Sequence, residues 1–142
     1  MKKRLTHFGC LPAGEKSFAF GALLLAAFLR VSIKLAGFNN TIKLLSFFEG
    51  KITAENGFSD VDYYSRSIAF SYDFAPYINC LAISTAHWWL MKKRGIEVQL
   101  KFGMKKQNEK LAAHSWLEYN GVAFSKDMVI NKKYTAFETA IL

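Results

Sequence analysis

Three side chains in this sequence could together perform nucleophilic catalysis by a thiol: Cys80, His114 and Asp127. In such chemistry a thiolate attacks a carbonyl carbon, an imidazole takes up and returns the proton, and a carboxylate orients the imidazole. The three residues are distant along the chain. The surrounding helices and strands must therefore bring them together.

The dipeptide Asn120-Gly121 predicts a two-residue hairpin turn that places His114 opposite Asp127. Both residue types tolerate the positive φ angles of a type I′ turn, and a strand-like run lies on each side. Counting outward gives three opposed pairs: Tyr119 with Val122, Trp116 with Ser125, and His114 with Asp127. Opposed residues have Cβ atoms ~4.5 to 5.5 Å apart, so the carboxylate can hold one ring nitrogen and leave the other for a thiol. A bulge would shift this register by one residue.

Cys80 is predicted to be the first residue of a helix. Pro76 disfavours helix in the residue before it, and Asn79 is a strong N-cap residue. At the first helical position, unpaired backbone N–H groups and the positive end of the helix dipole stabilise a thiolate, the reactive form of cysteine. The alternative is an inert core thiol, because free cysteine is among the most buried residue types. The histidine and aspartate paired by the hairpin favour catalysis.

Other polar and aromatic residues near these positions are predicted to have structural roles. Glu118 shares the strand face of the histidine but lies ~13 Å along it, too far to orient the ring. His87 is two helical turns from Cys80, a rise of ~10 Å, too far for proton transfer. Trp116 is expected in the core or as a wall of the site. The Cys80 backbone N–H is the natural first oxyanion donor, and residues 77–79 could supply the second.

Length and composition predict one compact domain over residues 1–142, since 51% of the residues are hydrophobic. The two cysteines form neither a Cys-x-x-Cys pair nor a cluster with histidine, so no disulfide framework, metal site or cofactor is expected. This cysteine usage fits a reducing cytoplasm. The net charge of +8 suits a nucleic acid, an anionic membrane surface or an acidic polypeptide. Because aromatic residues do not alternate with basic ones on one surface, no nucleic-acid partner is predicted.

Hydrophobic periodicity predicts helices in the first half of the chain and strands in the second, which is an α+β fold. A short helix is expected at residues 42–48, a loop at 50–57, and a helix capped by Ser59 or Asp60 that ends near Phe74. A half-buried strand is expected at residues 96–102, because apolar and polar residues alternate there. The remaining predicted segments are a polar connection at 103–110 and hairpin strands at 111–119 and 122–129.

Residues 18–29 are apolar almost throughout and follow a basic stretch at 2–4, which superficially resembles a signal peptide. Charged residues separate the two and interrupt the apolar run, which is shorter than the ~18 residues of a spanning helix. We therefore predict a buried or docking helix that stops at Gly37. Four apolar residues recur at helical spacing on one face: Leu24, Phe28, Val31 and Leu35. Because much of the helix girth is apolar, burial is expected on two sides, by its own domain and by another protein, and a weak membrane-surface contact is a further expectation.

The motifs around Cys80 and His114 resemble those of a known family. They are Cys80-Leu81 at the head of a helix, Met91-Lys-Lys-Arg-Gly95 at its end, an alternating strand, His114-Ser-Trp-Leu-Glu118, and then Asn120-Gly121. Over nearly its whole length the chain is similar to the transglutaminase-like cysteine peptidases of lasso-peptide maturation. One departure is Ser115, where alanine is common in the family. A chain of this size resembles members whose leader-recognition domain is a separate small protein.

This resemblance implies a papain- or transglutaminase-like α+β fold and removal of a leader peptide from a ribosomally made precursor. It implies Cys80 as nucleophile, His114 as general base and then acid, and Asp127 as the orienting acid. The implied partners are the precursor leader, a separate leader-recognition protein and the ATP-dependent synthetase that closes the macrolactam ring. The same three residues would serve a transglutaminase or N-acyltransferase. Outside enzymes, the alternative is a non-catalytic docking protein at a membrane or partner surface.

Overall fold

A computed structural model describes residues 13–48, 61–74, 77–108, 110–124 and 134–136. Within these residues, four helices precede a four-stranded antiparallel sheet: α1 Ala13–Ala36, α2 Phe38–Phe47, α3 Val61–Phe74 and α4 Cys80–Lys93. The strands are β1 Gln99–Gln107, β2 Lys110–Tyr119, β3 Val122–Phe124 and β4 Thr135–Ala136, in the spatial order β3-β2-β1-β4. This is the predicted α+β fold.

Helix α4 begins at Cys80, as predicted, and runs through the core. The Asn79 side chain caps it by accepting a hydrogen bond from the Ala82 backbone N–H over 2.9 Å. The helix ends at Lys93, with Arg94 as its C-cap, before Gly95, whose φ of 75° is the left-handed conformation that glycine favours at this position. Every side chain from Ala82 to Trp88 is buried, because α1, α3 and the sheet all contact this helix. The position of Cys80 is therefore set by the core.

Two buried clusters hold the layers together. One joins α1, α3 and α4 to the sheet and contains Phe18, Tyr64, Ile68, Trp88, Met91, Leu100, Leu117 and Phe124. The other joins α1, α2 and α4 and contains Ala26, Leu29, Leu45, Ala82, Ile83 and Ala86. Helix α4 contributes to both clusters, so it links the helical half of the chain to the strands.

Cations at the end of α4 lie over aromatic rings. The pairs are Lys92 over Trp88 at 5.1 Å, Lys93 over Trp89 at 4.1 Å and Arg94 over Phe18 at 4.4 Å, measured to the ring centroids. The two lysines also lie in the last helical turn, where positive charge complements the helix dipole. These basic residues therefore have a structural role at the end of the helix.

Strand β1 is longer than predicted, and the polar connection expected at residues 103–110 was wrong over most of its length. The strand continues to Gln107, which pairs with Lys110 across a second tight turn that has Asn108 at a φ of 48°. The antiparallel register with β2 runs without a break to this pair. Ladder hydrogen bonds between backbones extend a strand where its side chains lack a clear alternation.

The hairpin predicted at Asn120-Gly121 is confirmed. The two residues have φ angles of 49° and 77°, as a type I′ turn requires, and Tyr119 pairs with Val122. Strand β3 extends to Phe124, the last of the described residues in this part of the chain. Two further predicted pairs involve residues outside those described: Ser125 with Trp116, and Asp127 with His114.

The helical half departs from prediction mainly at α2. Helix α1 stops at Gly37, which has a φ of 82°, as predicted. Helix α2 then starts at once, earlier than the predicted residue 42, because the Gly37 carbonyl accepts hydrogen bonds from both the backbone N–H and the hydroxyl of Thr41. Helix α3 ends at Phe74, as predicted. The predicted loop at 50–57 and the cap at Ser59 or Asp60 lie outside the described residues.

Helix α1 buries one apolar face and exposes another. The buried face carries Phe18, Ala19, Ala22, Ala26 and Leu29, and the exposed face carries Phe20, Leu24, Phe28, Val31 and Leu35. The face predicted from the recurrence of Leu24 and Phe28 is thus the exposed one. In the described part of the chain, residues 16–36 form one helix long and apolar enough to cross a membrane by length and composition. The helix is covered by the protein on one of its two apolar sides.

Gly103 allows a close approach in the sheet, because a Cβ there would lie 2.8 Å from Cη2 of Trp116 and 2.9 Å from the Thr135 carbonyl oxygen. We expect Gly103→Ala to lower the free energy of unfolding by about 1 to 3 kcal/mol, because the Trp116 ring is fully buried and the other neighbour is backbone. Chemical denaturation measures this. The control is Gly21→Ala, which meets no atom within 4 Å on an exposed helix surface and should be neutral or stabilising by up to about 1 kcal/mol. Equal losses in the two variants would contradict the steric explanation.

Candidate active site

The Cys80 side chain lies partly exposed at the point where the first turn of α4 meets β2. Asn79 closes this turn through its side chain to Ala82 and through its carbonyl to the Ile83 N–H over 3.2 Å. The backbone N–H of Cys80 itself occupies the first helical position, where a helix leaves its N–H groups without internal partners. Its predicted use as an oxyanion donor fits this position. The second donor, expected from residues 77–79, stays a prediction.

The structure brings the Cys80 thiol to the His114 imidazole. Burial raises the pKa of the thiol, but hydrogen bonding to His114, hydrogen bonding to the backbone and hydroxyl of Ser115, and the charge of His114 outweigh burial and lower the pKa from 9.0 to about 7. About half of the thiol is therefore ionised at neutral pH. A thiolate next to an imidazole is the arrangement that acyl transfer through sulfur requires.

Ser115 is a functional residue that the sequence did not reveal as such. The sequence indicates at this position only a departure from the alanine that is common in the family it resembles. In the structure its backbone and hydroxyl both lower the pKa of Cys80. The hydroxyl oxygen is buried. Ser115 therefore helps to stabilise the Cys80 thiolate.

The His114 ring is held within a group of aromatic side chains. Its centroid lies 5.4 Å from that of Tyr134, 6.1 Å from that of Tyr72 and 6.5 Å from that of Trp116, and its plane is within 15° of the Trp116 plane. These contacts restrict rotation of the imidazole.

The Nε2 atom of His114 is buried and has no hydrogen-bond partner among the residues that the structure describes. We therefore assign the contact with the thiol to Nδ1. A buried polar nitrogen without a partner is costly, and a carboxylate would satisfy it. Asp127, predicted to do so, lies outside the described residues. Its role stays a prediction.

A hydrogen-bonded bridge ties α4 to β2 beside the thiol. The Ser84 hydroxyl donates to the Ser115 carbonyl over 3.0 Å, and the Tyr72 hydroxyl lies 3.4 Å from the same carbonyl and 3.3 Å from the Ser84 oxygen. Burial raises the pKa of Tyr72, the hydrogen bond with Ser84 lowers it, and the charge of Cys80 raises it again, so the phenol stays protonated as a donor. The bridge sets the position of the strand that carries His114 relative to the helix that carries Cys80.

The other residues singled out from the sequence lie where structural roles are expected. His87 is fully buried, with Nδ1 2.9 Å from the Ile83 carbonyl and Nε2 3.3 Å from the Ser67 hydroxyl. Burial lowers the pKa of His87 to about 4 although the hydrogen bond to Ile83 raises it, so this histidine is neutral near pH 7. Trp116 is fully buried and also stacks on His114. It therefore lies in the core and also forms a wall of the site, the two positions predicted for it. Among the described residues, no three His, Cys, Asp or Glu side chains form a group that could hold a metal ion.

Comparison with known proteins gives one match. A family model described as the Transglutaminase-like superfamily matches residues 53–139, which is more than half of the chain and includes Cys80, His114 and Asp127. No curated protein and no solved structure matches the sequence.

Proposed function

The chain belongs to the Transglutaminase-like superfamily, of cysteine-protease and transglutaminase type, and from this premise we propose that it is a cysteine peptidase that removes the leader peptide from a ribosomally synthesised lasso-peptide precursor. The observation that carries the proposal is the interaction of the Cys80 thiol with His114, which together with Ser115 lowers the pKa of a partly buried thiol to about 7. The narrower assignment is supported by the sequence motifs around these two residues, which resemble those of lasso-peptide leader peptidases.

In the first proposed step, the Cys80 thiolate attacks the carbonyl carbon of the last leader residue. The Cys80 backbone N–H donates to the oxyanion that forms. The imidazolium of His114 gives its proton to the departing nitrogen as the C–N bond breaks, which releases the core peptide with a free amino terminus. The leader stays bound to sulfur as a thioester.

In the second proposed step, His114 takes a proton from water while the water oxygen attacks the thioester carbon. The C–S bond breaks, the leader leaves as a carboxylic acid, and the thiolate and imidazolium are restored. Asp127 is proposed to orient the imidazole through its buried Nε2 in both steps. The Tyr72 and Ser84 bridge would keep the sulfur and the ring at one separation throughout.

The proposal includes partners and a compartment. A separate leader-recognition protein would present the precursor leader, and the ATP-dependent macrolactam synthetase would use the amino terminus that cleavage creates. We place the reaction in the cytoplasm, where a catalytic thiol stays reduced. No nucleic acid takes part.

The identity of the products tests this function. The protein is incubated with precursor and leader-recognition protein, with and without a primary amine, and the products are weighed by mass spectrometry. A leader fragment ending in a free carboxylic acid, together with the core peptide, is expected in both samples. A leader fragment joined to the amine would identify a transglutaminase or N-acyltransferase, and intact precursor in both samples would reject the acyl-transfer proposal.

We expect Asp127→Asn to slow leader cleavage severely, by about 10²- to 10⁴-fold, because an amide is a weaker partner for the imidazolium and can stabilise the wrong tautomer. Single-turnover cleavage followed by mass spectrometry measures this. The matched control is Glu118→Gln, which removes a carboxylate from the strand of His114 at a distance that cannot orient the ring. A larger loss in the Glu118 variant than in the Asp127 variant would transfer the orienting role to Glu118.

A further inference from the structure

The exposed face of helix α1 carries five large apolar side chains, each more than half exposed: Phe20, Leu24, Phe28, Val31 and Leu35. Successive members are three or four residues apart, so they form one line along the helix. We name these five residues the α1 stripe. The line is ~22 Å long at the rise of an α-helix. A continuous exposed apolar surface of this kind marks an interaction site.

Removal of the α1 helix from the fold would uncover its buried side. Its opposite face is part of the core, with Ala26 and Leu29 fully buried in the cluster that also contains Ile83 and Ala86 of α4. If α1 crossed a membrane, Ala26 and Leu29 would lose their contacts with α4, the helix that begins with Cys80. The stripe can therefore meet an apolar partner only as a surface, while the helix stays packed.

Basic residues lie beside the stripe. Residues 16–48 contain four basic residues and no acidic residue. Helical periodicity places three of the four along one edge of the stripe: Lys16, Arg30 and Lys34. Arg30 and Lys34 have exposed side chains. An apolar line with cations along one edge is complementary to the boundary of an anionic bilayer, where apolar side chains enter the acyl region and cations meet the headgroups.

We propose that the α1 stripe binds the surface of an anionic lipid bilayer, with α1 lying in the plane of the interface. A membrane fits this surface better than a protein partner does, because the stripe is a line on the outer face of a single helix and the charged residues of 16–48 are all basic. The proposal goes beyond the peptidase function and does not depend on it, since neither Cys80 nor His114 belongs to the stripe.

Flotation with lipid vesicles tests the proposal on the full chain. We expect the protein to float with vesicles of phosphatidylglycerol and phosphatidylcholine in equal parts, and more weakly with vesicles of phosphatidylcholine alone. The double variant Leu24→Gln with Phe28→Gln should partition about 100-fold more weakly, because two large side chains no longer enter the apolar layer. Arg30→Gln with Lys34→Gln should lose about 30-fold at low salt. The control is Leu111→Gln, an exposed leucine of β2, which should bind like the wild type.

Thermal unfolding followed by circular dichroism checks that all variants fold, which is expected because each altered side chain is exposed. Three results would overturn the proposal. They are failure of the wild type to float with either vesicle, equal flotation of the wild type and the stripe variant, and a solution dimer that the stripe variant loses. The last result, measured by light scattering, would assign the stripe to a second copy of the chain.

Discussion

Cys80→Ala is expected to abolish leader cleavage, with a fall in rate of about 10⁵- to 10⁶-fold. Without sulfur no thioester can form, and the remaining groups supply only binding and polarisation of the carbonyl. Single-turnover assays with precursor and leader-recognition protein measure the rate. The fold should remain, because the altered side chain is partly exposed and the Asn79 cap of α4 is untouched. We expect a change of less than about 1 kcal/mol in the free energy of unfolding.

The chain provides a matched control in its other cysteine. Cys10→Ala removes a thiol for which no catalytic role is proposed, and it should cleave at the wild-type rate. Cys80→Ser should be as inactive as Cys80→Ala, because a hydroxyl beside His114 is far less ionised than the thiol. Full activity in Cys80→Ala would refute the assignment of the nucleophile.

His114→Gln is expected to raise the pKa of Cys80 above its wild-type value of about 7 and to stop cleavage. Burial raises the pKa of this thiol, and the interactions with His114 are among those that lower it to about 7. Removing the imidazole takes away two of the interactions that lower the pKa, so the pKa rises. The thiolate is the reactive form, so the labelling rate rises with pH through the thiol pKa. The midpoint should lie near 7 in the wild type and at higher pH in the variant.

Alkylation by iodoacetamide as a function of pH measures this shift. The experiment uses the Cys10→Ala background, so that only Cys80 reports. The midpoint of the profile is the proper readout, because a more basic thiolate is also the better nucleophile and partly offsets the lower ionised fraction at pH 7. Glu118→Gln serves as the control and should keep the wild-type midpoint. A midpoint that stays near 7 in His114→Gln would show that the helix N-terminus or Ser115, rather than the imidazole, activates the thiol. An ordinary midpoint in the wild type would favour the non-catalytic docking protein.

Local parts of the site were predictable because neighbouring residues determine them. Asn79 caps α4 through a hydrogen bond that spans three residues, and Asn120-Gly121 forms its turn because both residues tolerate positive φ angles. These two features place Cys80 at a helix N-terminus and set the first pairs of the β2-β3 hairpin. Short-range preferences of this kind can be read directly from residue types.

The contact between the thiol and the imidazole was decided by tertiary structure. Ser84 reaches the Ser115 carbonyl across 31 positions of the chain, and Tyr72 reaches it across 43. Ser84 in an apolar helix and Tyr72 in the preceding helix form no sequence pattern that predicts this hydrogen-bonded bridge. The sequence could supply the helix end and the hairpin separately, but only packing of α4 on β2 brings them together.

Helix α1 likewise has features that the local sequence predicts and one that only packing decides. The sequence alone determined that this helix is apolar on two sides and ends at Gly37. Which side enters the core depends on the partner helix, because the small side chains of Ala19, Ala22 and Ala26 allow the backbones of α1 and its neighbours to approach closely. The large side chains of Phe20, Leu24 and Phe28 on the other face remain exposed. Periodicity measures how apolar each face is, whereas steric fit between helices decides which face is buried.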